Sequence, residues 1–304
     1  MTKTAYIKVI LLLFVVLQTK GSVVATDFDS KGLVVRERRD QFFSAWAAAG
    51  YSALMTNMNH TSPLGFVGGL AGIGYGIGFG GPLSFHIGAE FALLTSSTRP
   101  FAFTQTRDAI DTEGMAFEMI YQYKSYREYQ QAPYVNIPIS VDYSYKKFYC
   151  ALGAKVGLPL SWQAYAKTSG NLKTTGHYNQ FIEDFEEMPN HYFLTSKVTD
   201  QNTLVMGINA IVHGEIGYNI DLESRREYSK TLRIAFFADY GINNIVKNDP
   251  TQSLVEYNTH PMRMHFNSLL TTNDNRVNSV MGGIKVTFIF TQHIVDCYCN
   301  TKKK

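Results

Sequence analysis

Leu64-Gly-Phe-Val-Gly-Gly-Leu-Ala-Gly-Ile-Gly-Tyr-Gly-Ile-Gly-Phe79 decides how this chain folds. It sits in a longer stretch, Gln41 to Ala89, that contains no Asp, Glu, Lys or Arg. As a helix, Leu64 to Phe85 would carry nine glycines, each costing about 0.8–1 kcal/mol relative to alanine. As a strand it separates into two faces, because successive side chains point to opposite sides. Val67, Ala71, Ile73, Tyr75, Ile77 and Phe79 share one face, and Gly68, Leu70, Gly72, Gly74, Gly76 and Gly78 share the other.

The same period of two recurs outward from this stretch. Val135, Ile137, Ile139, Val141, Tyr143 and Tyr145 oppose Asn136, Ser140 and Asp142. Phe148, Cys150, Leu152, Ala154, Val156, Leu158 and Leu160 oppose Ala151, Gly153, Lys155 and Gly157. From 204 to 222 the even-numbered apolar positions, Leu204 and Met206 among them, oppose Asn209, His213, Glu215 and Asn219. Ile234, Phe236 and Tyr240 oppose Arg233 and Asp239, and Ile284, Val286, Phe288 and Phe290 oppose Lys285 and Thr287. The pattern gives eight strands, over 41–57, 64–79, 83–97, 134–145, 148–161, 204–222, 230–243 and 277–290. Met115–Tyr129 also alternates. It either extends a strand beyond the others or raises the number to ten.

The polar faces decide the class. A soluble sandwich buries its apolar stripe and spreads Lys and Glu over its surface. Here 45% of the 304 residues are hydrophobic and only 17% charged, against about a quarter charged in an ordinary soluble domain. The polar faces are small and glycine-rich, as the inside of a narrow barrel requires. Glu90, Asp142, Lys155, Glu215, Arg233, Asp239 and Lys285 supply both signs there, so that buried charges find partners. They are read as a structural lumen network. The expected fold is an all-β, antiparallel, up-and-down transmembrane barrel whose apolar stripes meet lipid. Long connections (98–133, 162–203, 244–276) alternate with short ones, and only 58–63 breaks the rule. With both termini in the periplasm, every long loop lies outside the cell.

The ends carry the address. Lys3 and Lys8 precede nine apolar residues, Val9–Leu17, and Val23-Val24-Ala25 offers a cleavage site. That is the layout of a secretory signal peptide. Nine residues reach roughly 13 Å as a helix, short of a bilayer core. The expected order is a signal peptide (1–25), a charged periplasmic lead (26–40), the barrel (41–290) and a tail (291–304). A net charge of +3 without basic clusters argues against a nucleic-acid partner. Three cysteines exclude a disulfide-dense scaffold.

Tyr134-Val-Asn-Ile-Pro-Ile-Ser-Val-Asp-Tyr-Ser-Tyr145, Lys146-Lys147 and Phe148-Tyr-Cys-Ala-Leu-Gly-Ala-Lys-Val-Gly-Leu158 together resemble the central hairpin of the PorT-like outer-membrane barrels common in Bacteroidetes. Met281-Gly-Gly-Ile-Lys-Val-Thr-Phe-Ile-Phe290 is similar to that family's last strand, although fourteen residues follow it here. The resemblance implies a non-enzymatic outer-membrane protein among lipid and lipopolysaccharide, folded by the barrel assembly machinery. It also implies a role beside a secretion or assembly apparatus. It brings no catalytic residues, cofactor or metal. Protein partners are expected at the extracellular loops or the periplasmic termini.

Two other functions remain open at this point: a narrow pore for small solutes, and a membrane hydrolase or acyltransferase. For the enzyme, His177, His191, His260 and His265 with Asp200, Asp249 and Asp274 offer loop-borne groups, but no G-x-S-x-G is present. Gly76-Ile-Gly-Phe-Gly-Gly81 matches G-x-G-x-x-G, yet Pro82 and a strand follow where a phosphate-binding helix would have to start. Cys297-Tyr-Cys299 with His293 falls one ligand short of a structural zinc site. Phe181, Ile182, Phe185 and Met188 share a helical spacing among Glu183, Asp184, Glu186 and Glu187, which suggests an amphipathic turn or a divalent-cation site.

Overall fold

The computed structural model describes residues 25–29, 32–56, 61–79, 81–100, 103–111, 113–160, 163–186, 195–225, 227–247, 254–259, 262–272 and 276–299. The expected signal peptide lies outside them except for Ala25. The described chain forms fifteen strands. The first seven are β1 (Ala25–Asp29), β2 (Gly32–Thr56), β3 (Thr61–Gly78), β4 (Leu83–Pro100), β5 (Phe103–Ile110), β6 (Ala116–Tyr145) and β7 (Phe148–Pro159). There follow β8 (Tyr165–Tyr178), β9 (Glu183–Phe185), β10 (Thr195–Thr203), β11 (Asn209–Ser224), β12 (Tyr228–Gly241), β13 (Val255–Thr259), β14 (Met262–Phe266) and β15 (Val277–Cys299).

Eight of these close a ring. In order, β2, β3, β4, β6, β7, β11, β12 and β15 each pair antiparallel with the next, and β15 returns to β2. Closure leaves the ring no free edge along its length. Short turns (79–82, 146–147 and 225–227) join strands at one end, called here the turn end, which also holds the terminal strands. The long connections leave from the opposite, hairpin end. Burial alternates along the ring strands in the sense that the sequence implies. In β7, Tyr149, Ala151, Lys155 and Gly157 are buried, while Phe148, Cys150, Leu152 and Val156 are exposed. The apolar stripes face out.

The long connections are mostly strand themselves. All of Met115–Tyr129 except Met115 itself is the upper part of β6, so the ring has eight strands and not ten. Above the ring, β6 pairs with β5 on one side and β8 on the other, and β10 adds to β8. A bulge between Tyr123 and Ser125 shifts the register against β8. One extra residue exchanges the two faces of a strand. Below the bulge the buried positions of β6 are the even-numbered ones from Tyr126 to Asp142, with Pro133 in addition. Above it they are Phe117, Met119, Tyr121 and Tyr123. The upper aromatic face packs with Leu172, Tyr178, Leu254 and Leu269.

The structure corrects the strand expected over 204–222. It starts at Asn209, and Leu204 and Met206 are buried, not part of the outer stripe. The backbone at 204–207 crosses the ring instead, through Leu204 N–H to Ala164 O (3.0 Å) and Gly207 N–H to Ile245 O (2.7 Å). Beyond the expected barrel limits, β2 and β15 stay paired from Gln41↔Gln292 to Val34↔Cys299. The lead and the tail therefore continue barrel strands. β1 folds back on β2 from Asp29↔Gly32 to Ala25↔Arg36.

Candidate functional site

All seven charged residues singled out above project into the ring, from β4, β6, β7, β11, β12 and β15. Lys155 lies at the centre, 2% exposed. Its Nζ donates to Glu90 Oε1 (3.0 Å) and Asp239 Oδ2 (2.8 Å). Glu90 also accepts from Trp46 Nε1 (2.9 Å) and Asn136 Nδ2 (3.0 Å). The other oxygen of Asp239 meets His213 Nδ1 at 2.5 Å, and His213 Nε2 meets Glu215 Oε1 at 2.8 Å. Glu215 in turn accepts from Lys285 and from the Tyr149 hydroxyl.

Arg233 and Asp142 form the second half of the network. Arg233 donates to Asp142 Oδ2 (2.7 Å) and Asn219 Oδ1 (2.9 Å), and its guanidinium stacks 4.3 Å from the Tyr149 ring centroid. Tyr149 thus joins the two halves. Three cations face four carboxylates. The balance falls to His213, which was read only as a polar-face residue. Both of its ring nitrogens face carboxylate oxygens, and both hydrogen bonds form only when the ring carries two N–H groups. Pairing across the lumen makes the burial of so many charges tolerable.

Packing explains the glycines. Trp46, Phe42 and His86 project into the lumen beside β3 and β4, with Trp46 and His86 edge-to-face at 5.3 Å and Lys285 4.8 Å above the indole. A Cβ on Gly72 or Gly88 would come within 2.6 Å of the indole, and one on Gly76 within 2.0 Å of the Phe42 ring. The glycine face of Leu64–Phe79 is the bed for these rings. The G-x-G-x-x-G match reflects that packing, since it begins inside β3, which ends at Gly78, and β4 follows from Leu83.

Among the described residues, little free space surrounds the charge network. Two cavities beside the network hold only about 20 Å³ and 10 Å³, room for about one water each. At the hairpin end an apolar plug of Leu54, Leu94, Leu204, Met206, Ile245, Val246, Leu270 and Val277 fills the mouth. At the turn end a vestibule of about 200 Å³, lined by Asp40, Lys146, Asn219, Asp221 and Arg233 among others, stops at the Arg233–Asp142 pair.

A single carboxylate pins the segment 267–272, which covers the mouth, in place. Glu128 is fully buried, and among the described residues its four hydrogen-bond donors are all uncharged. Its oxygens accept from Ser268 Oγ (2.5 Å), Leu269 N–H (2.8 Å), Gln130 Nε2 (2.9 Å) and Tyr126 OH (3.1 Å). Burial holds its pKa above the ordinary glutamate value, against these four donors. Nothing local in the sequence marks Glu128, because its donors at Ser268 and Leu269 lie 140 residues away.

The remaining candidates are scattered. His177 pairs with Asp184 (2.5 Å) and Lys173 with Glu186 (2.7 Å) on the outermost hairpin. Among the described residues no three His, Cys, Asp or Glu side chains converge on a metal position. His191, Asp249, His260 and Asp274 lie outside the described residues, as do the side chains of His265, Cys297 and Cys299. Cys150 is an exposed free thiol on the outer stripe. Phe181 and Ile182 lie in a hydrogen-bonded turn, with both N–H groups bonded to Tyr178 O, and β9 follows. That replaces the helical spacing expected there. No protein-family model matches the chain, and the comparison with curated proteins finds no match.

Proposed function

We propose that this chain is an integral outer-membrane β-barrel protein with a sealed lumen, whose role is non-enzymatic presentation of its long hairpins outside the cell. The observation that carries the reading is the inversion of burial around the ring. Leu152 is 70% exposed, Phe236 69% and Ile73 68%, while Lys155 and Glu90 are 2% exposed. Water would penalise such a surface, and lipid would not. Aromatic residues rim the stripe at both ends. At the turn end Phe43 meets Tyr75 (5.2 Å) and Phe148 meets Tyr218 (5.4 Å). At the hairpin end Phe66 meets Tyr129 (5.4 Å) and Tyr129 meets Tyr165 (6.3 Å). These rims suit the interfacial girdles of such barrels.

The resemblance to PorT-like barrels supports the same placement and suggests work beside a secretion or assembly apparatus. The plug and the salt-bridged lumen favour this reading over a pore. The test is fractionation followed by a denaturing gel. A protein that stays in outer membranes through a carbonate wash and migrates differently unboiled and boiled fits the proposal. A soluble protein with no shift would overturn it. For the pore reading, planar-bilayer recordings are expected to stay silent for the parent chain. Steady openings altered by Lys155→Ala would revive that alternative.

A further inference from the structure

The outermost hairpin between β8 and β9 presents an apolar bead that the barrel reading does not use. Phe181 is 56% exposed and Ile182 85% exposed. Ile182 also holds a left-handed backbone, with φ of 55°. A β-branched residue rarely adopts that conformation, which glycine or asparagine takes without strain. A strained and exposed isoleucine at a turn is a poor choice for folding alone. Beneath it the support is rigid. Phe117 stacks on Tyr178 (5.1 Å), Tyr178 meets Phe185 edge-on (5.4 Å), and Phe181 lies 6.2 Å from Tyr178. The Tyr178 hydroxyl is anchored to Asp111 Oδ2 at 3.0 Å.

The surroundings are acidic. Around the bead, Asp184 is paired with His177 and Glu186 with Lys173, and the neighbouring hairpin adds Asp108, Glu113 and Glu118 against Arg107, which leaves an acidic excess. Anionic lipopolysaccharide is repelled by such a collar, and a second identical tip is repelled equally. A protein surface with a small apolar socket ringed by Lys or Arg is attracted.

We infer that Phe181 and Ile182 form a docking bead for a protein partner that offers an apolar socket with a basic rim. The inference rests on the proposal that this hairpin faces outward, and two separate readouts keep the two claims apart. Ile182→Cys, in a chain whose Cys150, Cys297 and Cys299 are replaced by serine, reports orientation. Labelling on intact cells by a membrane-impermeant maleimide is expected, and no labelling would sink the outward placement itself.

Docking is read by a photo-crosslinking amino acid at the exposed neighbour Gln180, in living cells. One discrete protein adduct is expected, mapping by mass spectrometry to apolar residues flanked by Lys or Arg. Ile182→Gly relieves the backbone strain and removes the more exposed half of the bead, so the barrel should still shift on boiling while the adduct falls at least about tenfold. Asp108→Lys with Glu113→Lys, which leaves the His177–Asp184 and Lys173–Glu186 pairs intact, should weaken it at least roughly fivefold. An adduct to lipopolysaccharide, to a second copy, or to a protein indifferent to these substitutions would overturn the inference. So would no adduct from a tip that the maleimide reaches.

Discussion

Residues 135–145 and residues 117–123 are two parts of one strand, and both carry apolar side chains at odd positions. In the first, Val135, Ile139, Val141 and Tyr143 turn outward and are exposed. In the second, Phe117, Met119, Tyr121 and Tyr123 turn toward the covering segment and are buried. The bulge beside Lys124 makes the difference. Well below it, from Val135 on, the strand hides polar groups and shows apolar ones, while Ser125 and Arg127 just beneath it are exposed. Above it the strand obeys the ordinary rule of proteins in water, with Arg107 and Asp108 exposed on the adjoining β5. The bulge therefore exchanges the two faces, and the proposed change from lipid to water falls a few residues below it, at Tyr129, between the apolar outward positions from Val135 on and the exposed Ser125 and Arg127.

Deleting Lys124 should break this contrast most severely. The deletion returns Phe117 to Tyr123 to the outer parity and strips four large side chains of their cover. The local cost is at least about 5 kcal/mol, at roughly 1.5–3 kcal/mol for each side chain. The barrel below should survive. Limited proteolysis of reconstituted protein is expected to cut the outer hairpin quickly while the heat-shifted barrel band persists.

Lys155→Met attacks the lower part. It leaves Glu90 and Asp239 buried without their shared cation, at a cost of about 3–5 kcal/mol. Urea-induced unfolding in detergent or lipid should show the loss. Adding Glu90→Gln and Asp239→Asn should restore much of it, since the penalty lies in unpaired charge more than in lost contact.

Glu128 sharpens the comparison at the boundary. A carboxyl whose folded-state pKa is raised binds protons more readily folded than unfolded. Its contribution is therefore fully present below the unfolded glutamate value and is lost as pH rises through the folded one. Exchange of the Leu269 amide, corrected for its intrinsic pH dependence, should be slowest under mild acid and quicken toward neutrality. Glu128→Gln should abolish that dependence and loosen the segment by about 2 kcal/mol. The smallest effect belongs to Lys146, which holds φ of 55° in the two-residue turn between β6 and β7. Lys146→Gly should stabilise the turn by about 1 kcal/mol, read from the same urea curves.

The eight ring strands and their faces were legible because a wall between unlike surroundings writes a period of two into every strand. The lumen charges were legible for the same reason. Each stands on a polar face where a soluble strand would have had many. Leu204 and Met206 misled because they keep the parity of Ile208 to Leu222, and only contacts to Ala164 and the Ile245 segment turn them inward. The bulge left no local mark, since Lys124 is an unremarkable residue in an alternating run. His213 and Trp46 depended on partners on other strands, Asp239 and Glu90, that one strand cannot show.

The outer face of the ring is where the account is most exposed to refutation. A nitroxide on Leu152→Cys, in the chain with Cys150, Cys297 and Cys299 changed to serine and reconstituted in lipid, reads its surroundings directly. Collisions with oxygen are expected to be far more frequent than with a water-soluble nickel chelate. Easy access for the nickel chelate would mean that Leu152 meets water, and the membrane reading would fall.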